Sequence, residues 1–236
     1  METDVGSLLY PSSDEVITPF VRENGWWEKE ESAALRSLLR PGMTFVDVGA
    51  HVGYLTLVAA ERVGPTGRGL AVEPVPDNFA LLQANILWTG TSWVDAIPVA
   101  AWNENRRLTI TLSADNSGDH RAYAAGEERG ADAEPWPGRW TRTESREVLA
   151  VALDEIVPPD TAIDVVKIDV QGCDHLVIRG MERTLTRCHP SVLVEFWPEG
   201  IAELGGDPAD VISYYGLFGF QRGVIVASRS QFGRPA

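Results

Sequence analysis

Residues 45–53 read Phe-Val-Asp-Val-Gly-Ala-His-Val-Gly. An apolar run meets a carboxylate, and two glycines follow, four apart. The apolar residues suit a strand covered on both faces. The glycines suit backbone that comes close to a neighbour, and "VGYLTLVAAERV" (52–63) starts a helix whose first N–H groups lack partners. Strand, glycine turn and helix start together make either a tight connection or a cradle for a nucleotide-like ligand.

The same rhythm continues outward. "GLAVE" (69–73) reads as a second strand, "PDNFALLQANILWT" (76–89) as a helix with Pro76 in its tolerant first turn, and "DAIPVAA" (95–101) as a third strand interrupted by Pro98. "RLTITLS" (107–113) alternates with period two. Further on, "VLAVALDEI" (148–156), "IDVVKIDV" (163–170), a helix over 174–187, "SVLVEFW" (191–197), a helix over 208–219 and "GVIVAS" (223–228) complete the pattern. Upstream, residues 28–40 read as a helix stopped by Pro41-Gly42, and residues 1–27 as irregular. This alternation predicts an α/β fold: a mainly parallel sheet with helices on both faces. In such sheets ligands lie beyond the carboxyl ends of the strands, so the residues closing each strand carry the function.

Composition narrows the partners. The chain has 236 residues and a formal charge of −14, so phosphate backbones are repelled and nucleic acid is not an expected partner. No apolar run approaches a membrane span, and "METDVGSLLYPSSDE" lacks the basic and apolar regions of a signal peptide, which leads to an expectation of a cytoplasmic protein. Cys173 and Cys188 have no metal spacing and no histidine-paired nucleophile pattern, so inert packing is expected of both. No metal site is expected.

Glu73 closes the second strand, 26 positions after Asp47. A carboxylate there is placed to accept hydrogen bonds from a ribose diol. The glycine pattern is Asp-x-Gly-x-x-x-Gly, neither the G-x-G-x-x-G of a dinucleotide site nor a triphosphate loop. It fits a ligand with a ribose and no pyrophosphate, such as S-adenosylmethionine. A nicotinamide-dependent oxidoreductase and a non-catalytic nucleotide-binding module remain as rival readings.

"FVDVGAHVGYLTLVAA", "AVEPVPDNFALLQANI", "VAAWNENRRLTI", "VVKIDVQGCDHLVIRGM" and "PSVLVEFWPEG" resemble, in order and spacing, the FkbM-type S-adenosylmethionine-dependent methyltransferases over roughly residues 41–200. "VITPFVRENGWWEKEE" also resembles the N-terminal arm of some members. The resemblance implies a Rossmann-like class I methyltransferase fold with an antiparallel last strand. It implies that Asp47, Gly49, His51 and Gly53 line the methionine and sugar end of the cofactor and that Glu73 takes the ribose hydroxyls. Pro74 with Ala101 and Trp102 would border the adenine, and Asp169 would lie near the sulfonium. One position departs from the common form: Gln171 stands where an acid is usual, which withdraws any role as a base from that position.

For the acceptor side the candidates are Asp169, His120, Glu195 and His175 as catalytic groups, with Asp119 beside His120. Trp26, Trp27, Arg121, Gln171 and Trp197 are candidate substrate contacts. Each has a plainer reading. "NSGDHR" (116–121) is a solvated turn or part of a lid formed by 114–146. His175 caps a helix or faces the cleft. Glu195 holds a substrate hydroxyl or amine, or pairs with an arginine. The tryptophans wall a pocket or pack a core. The chain divides into residues 1–40, an arm and helix capping the substrate side, and 41–236, the methyltransferase unit. The expected activity is methylation of a small molecule, with a hydroxyl of a specialised metabolite or sugar first and nitrogen or aromatic carbon open. A homodimer is plausible.

Overall fold

The computed structural model describes residues 1–124, 142–203 and 205–218. The chain opens with a short hairpin, β1 (Glu2–Thr3) and β2 (Gly6–Ser7), then helices α1 (Ile17–Asn24) and α2 (Lys29–Leu38). The alternating part follows as β3 (Thr44–Val48), α3 (Tyr54–Val63), β4 (Arg68–Val72), α4 (Pro76–Trp88) and β5 (Val94–Ile97). Next come β6 (Ala100–Trp102), β7 (Arg106–Ser113), β8 (Arg121–Ala124), β9 (Arg142–Ala152) and the single turn α5 (Leu153–Ile156). β10 (Val165–Ile168), α6 (Asp174–Arg179), α7 (Glu182–Cys188), β11 (Ser191–Val194), α8 (Pro198–Glu203) and α9 (Pro208–Leu217) complete the described elements.

The main sheet is parallel throughout, in the order β11-β10-β3-β4-β5. The chain runs outward from β3 to β5, then restarts on the other side of β3 at β10. That reversal leaves a crevice beyond the ends of β3 and β10, where α/β sheets bind ligands. Side-chain alternation divides the core in two. Phe45, Ala71 and Val165 face α2, α3 and α4, whereas Val46, Val48, Val72, Val166 and Ile168 face Val177, Ile178, Met181 and Leu185. Helices thus cover both faces, as the near-continuous apolar strands require.

Asp47 belongs to the first face, and strand register sets it directly opposite Lys167. The two form a buried ion pair at 3.3 Å, and Thr56 of α3 donates to the other oxygen of Asp47 at 2.6 Å. Burial opposes the charge of Lys167, but Asp47, Asp169 and Glu28 outweigh it and hold its pKa above that of an ordinary lysine.

Four expectations change. "DAIPVAA" is two strands: β5 ends before Pro98, and β6 leaves the parallel sheet to pair with β9. A second sheet, β6-β9-β7-β8, occupies part of the tract expected to lack regular structure. Its outer residues 142–147 are polar and pair with β7, so neither an apolar run nor a turn signal marks them. The helix over 174–187 is broken at Gly180-Met181, where a Cβ on Gly180 would stand 1.8 Å from the Trp102 carbonyl oxygen. Residues 1–27 are not irregular: Asp14 accepts from Val16 N and Thr18 N and so caps α1, with Pro19 in the first turn. The strand expected over 223–228, which was to run antiparallel, lies outside the described residues.

The arm is riveted by Asn85 of α4, which is fully buried. Its amide donates to Val52 O at 2.8 Å and Leu9 O at 2.9 Å, and its oxygen accepts from Leu9 N at 2.7 Å. One side chain therefore ties the arm to the turn that follows β3. No helix among the described residues is long and apolar enough to cross a membrane.

Candidate functional site

A cavity of about 440 Å³ opens over the ends of β3, β4 and β10, within the range of small-molecule sites. Its first wall is backbone. After β3 the chain turns through Gly49 at φ 76° and His51 at φ 53°. A Cβ on Gly49 would stand 1.9 Å from the Asp169 carbonyl oxygen, so only glycine lets the turn lie this close to β10. Lys167 Nζ donates to Gly49 O at 3.1 Å and fixes the turn from below.

Glu73 forms the second wall. It is 5% exposed, and its two oxygens accept from His51 N and Val75 N, each at 2.9 Å. Burial pushes its pKa up to about 7, against the pull of these two bonds. A carboxylate offers about four acceptor positions, so two remain for hydroxyl donors in the cavity. Pro74, Ala101 and Trp102 extend this wall, and Asn78 lies beside them.

His51 also holds the roof. Its Nε2 is 2.8 Å from Ser117 Oγ. Ser117 Oγ donates its single proton to Asp14 Oδ2 at 2.6 Å, and Ser117 N donates to the same oxygen at 2.7 Å. The hydroxyl therefore accepts from His51, which sets the histidine as the Nε2–H tautomer. Burial lowers the pKa of His51 to about 4, with Asp14 opposing. Segment 116–121, the arm and the glycine turn thus meet through one chain of hydrogen bonds.

The remaining wall carries charge. Asp169 closes β10, and Gln171 Nε2 donates to its Oδ1 at 2.9 Å. An ionised acid at 171 could not donate, so the departure at this position gives Asp169 a partner. Asp174 accepts from Val170 N and Gly172 N, both at 3.1 Å, and so shapes the loop that carries Gln171. Glu195, after β11, reaches the rim, where burial and the charges of Asp169 and Asp174 raise its pKa. Asp119 pairs with Arg121, whose guanidinium donates to Gln171 O at 3.0 Å and stacks 4.2 Å from the Trp197 ring.

Of the expected site residues, Gly49, His51, Glu73, Pro74, Ala101, Trp102, Asp169, His120, Glu195, Trp27, Arg121 and Gln171 line this one cavity. Others stand elsewhere. Asp47 is behind the turn, because alternation directs it to α3. Gly53 opens α3 and packs on Leu82, where a Cβ would come within 2.7 Å. His175 is buried in α6, off the cavity wall, with Nδ1 enclosed by protein. Trp26 packs edge-on to Phe20 at 5.0 Å and carries Lys29 over its ring. Trp197 supports Arg121 from outside the lining. His120 lines the cavity, but its Nδ1 accepts from Ser113 N at 3.1 Å, which occupies that nitrogen.

Glu28, Lys167 and Ser117 are among the lining residues that escape the sequence reading. Glu28 reads as the acidic start of α2, Lys167 as a strand residue and Ser117 as part of a solvated turn. The first carries no signal beyond its position after two tryptophans. For Lys167, a charge inside an otherwise apolar strand is itself the signal, since buried charge requires a partner. Among the described residues no group of three histidine, cysteine or acidic side chains could hold a metal ion.

Comparison with known proteins agrees with this geometry. The family model described as the methyltransferase FkbM domain matches residues 47–221. "Methyltransferase 1" of Beauveria bassiana is 27% identical over 144 residues, 58% of this chain and 57% of that protein. A protein-L-isoaspartate O-methyltransferase of Triticum aestivum is 46% identical over 52 residues, 22% of this chain and 23% of its own length. The chain thus spans from about a quarter to somewhat over half of these relatives. A solved FkbM methyltransferase from Methylobacillus flagellatus shares 14% identity at a TM-score of 0.48, over 79% of this chain and 43% of that one. The domain match, which covers most of the chain, carries the family assignment and argues against the oxidoreductase reading. The chain belongs to the FkbM methyltransferase family, which implies S-adenosylmethionine as cofactor.

Proposed function

We propose that the protein methylates a hydroxyl group of a small molecule, a specialised metabolite or a sugar. The observation that carries this reading is that the glycine turn, Glu73 and the carboxyl groups of Asp169 and Glu195 border one cavity. Donor and acceptor would meet there without crossing protein. The backbone at Gly49 and His51 would hold the methionine end, and Glu73 would accept from the ribose hydroxyls with its two remaining positions. Pro74, Ala101 and Trp102 would border the adenine. The arm, residues 1–40, would cap the acceptor side through Trp27 and Glu28, over the methyltransferase unit of 41–236.

S-adenosylmethionine supplies a methyl carbon activated by positive sulfur. What this chain adds is orientation and a place for a proton. The acceptor oxygen forms its new bond to the methyl carbon while the carbon–sulfur bond breaks and sulfur keeps the electron pair. The hydroxyl proton passes to a carboxylate on the wall. Asp169 is the candidate base: Gln171 donates to its Oδ1 at 2.9 Å and Lys167 lies 3.9 Å away, which hold the carboxylate in place at the cavity wall.

Calorimetric titration with S-adenosylhomocysteine tests the assignment. Glu73→Ala should weaken binding by about 100-fold or more, since hydrogen bonds to a charged group contribute about 1.5–3 kcal/mol each. Unchanged affinity would remove the ribose assignment. Incubation with hydroxylated metabolites, followed by mass spectrometry for the gain of one methylene, identifies the acceptor.

A further inference from the structure

The arm brings an acid to the cavity that the strand ends do not supply. Glu28 enters α2 with left-handed backbone, φ 45°, and its side chain lines the cavity. There it lies within charge range of Asp169, Lys167 and Glu31, and the Trp27 indole hydrogen-bonds to it. Glu195 borders the same space, within charge range of Asp169, Asp174 and Glu28.

The cations on the wall are already committed. Lys167 is closest to Gly49 O, at 3.1 Å, and to Asp47, at 3.3 Å, while Asp169 is 3.9 Å away. Arg121 is paired with Asp119. Three carboxyl groups, Glu28, Asp169 and Glu195, thus line the cavity beside one lysine, which Asp47 already pairs. Burial and mutual repulsion raise the pKa of Glu28 and Glu195, which favours their neutral forms until a cation lies beside them. Asp169 and Glu195 follow β10 and β11, whereas Glu73 follows β4, and Trp27 lines the same cavity.

We propose that Glu28, Asp169 and Glu195 form the acceptor subsite and select a cationic small molecule, one that carries an ammonium or other basic nitrogen beside the hydroxyl that is methylated. Glu28 is the specificity-determining residue, because the arm supplies it independently of the cofactor cradle. The inference rests on the S-adenosylmethionine reading of the same cavity.

The test uses three adenosine compounds on the full chain: S-adenosylhomocysteine, sinefungin and 5′-methylthioadenosine. Sinefungin carries a primary amine where the donor carries its methyl group, so its ammonium probes the acceptor side. Methylthioadenosine lacks the amino-acid portion. Wild type should bind sinefungin at least about tenfold more tightly than S-adenosylhomocysteine, an effect in the range of buried charge pairs. Glu28→Gln should reduce that preference to about threefold or less and leave S-adenosylhomocysteine affinity within about twofold. Glu195→Gln, at the exposed rim, is a second variant should the first lower the melting temperature, and it should also reduce the preference. Equal tight binding of sinefungin and S-adenosylhomocysteine by wild type, or an undiminished preference in both variants, overturns the proposal. So does an equal loss of both ligands in Glu28→Gln with methylthioadenosine unaffected, which would assign Glu28 to the methionine ammonium. Failure of wild type to bind S-adenosylhomocysteine at all would instead overturn the cofactor reading, and the subsite with it.

Discussion

The two halves of the cavity are built differently. The cofactor half is made of backbone bonded to a single acid: the turn after β3, the acid after β4, and the N–H groups of Val75, two residues from Glu73, and of His51, in the turn of the neighbouring strand. The acceptor half is assembled from side chains far apart in sequence: Glu28 from the arm, Ser117 and Arg121 from the segment before and into β8, Asp169 and Glu195 from two strand ends. Backbone offers little room for change, because a displaced carbonyl displaces its neighbours. Side chains on separate elements can be exchanged one at a time. The first half therefore suits a ligand common to many enzymes, and the second a ligand particular to one.

Gly49→Ala would break this comparison most severely. The added methyl would collide with the Asp169 carbonyl at 1.9 Å, and the backbone would remain at a φ of 76°. Strain and overpacking together are expected to cost roughly 4–6 kcal/mol, the upper end of their combined range. Urea unfolding should show that loss, and calorimetry should show no binding of S-adenosylhomocysteine. A variant of normal stability and affinity would mean that the turn is not the rigid half.

Lys167→Met tests what lies beneath the turn. It leaves Asp47 buried with Thr56 alone, and should cost about 3 kcal/mol, the low end for breaking a buried pair. The double variant with Asp47→Asn should recover part of this in the same unfolding experiment. If the single variant were neutral, the pair would not support the cradle.

His51→Gln sharpens the comparison by loosening the joint between the halves. His51 titrates near 4 in the fold and near 6.5 when unfolded. Between those values the unfolded chain binds more protons, so the contribution of His51 to stability grows as pH rises and is complete above about 6.5. Glu73, raised to about 7, has the opposite slope between 4.5 and 7. The difference in unfolding free energy between wild type and His51→Gln should therefore widen from pH 4 to 6.5, by about 3 kcal/mol, and then level off. A difference that does not vary with pH would remove the neutral His51 from the joint.

The same contrast explains what the sequence discloses. The cofactor half is legible because its parts are contiguous: "FVDVGAHVG" and "AVE" each hold a strand and the residues that close it. Even there Asp47 misleads, since a carboxylate near a glycine turn looks like a ligand contact until strand alternation turns it inward. The acceptor half is hidden because proximity there is made by topology. Nothing near Glu28 in the chain shows that α2 begins over β10. The polar strand ahead of Val148 looks like a loop because its partner, β7, is some forty residues away. Pro98 is legible as a break, but not as the point where the chain changes sheets.

The shared amide of Asn85 has a consequence of its own. Because the same side chain grips Val52 and Leu9, lifting the arm away strips Asn85 of two of its three hydrogen bonds and leaves Val52 O held by a side chain that has lost its other anchor. Undocking of the first segment and loosening of the donor pocket become a single event. The indoles of Trp26 and Trp27, carried on that segment, therefore act as an intrinsic fluorescent gauge of whether the pocket is intact.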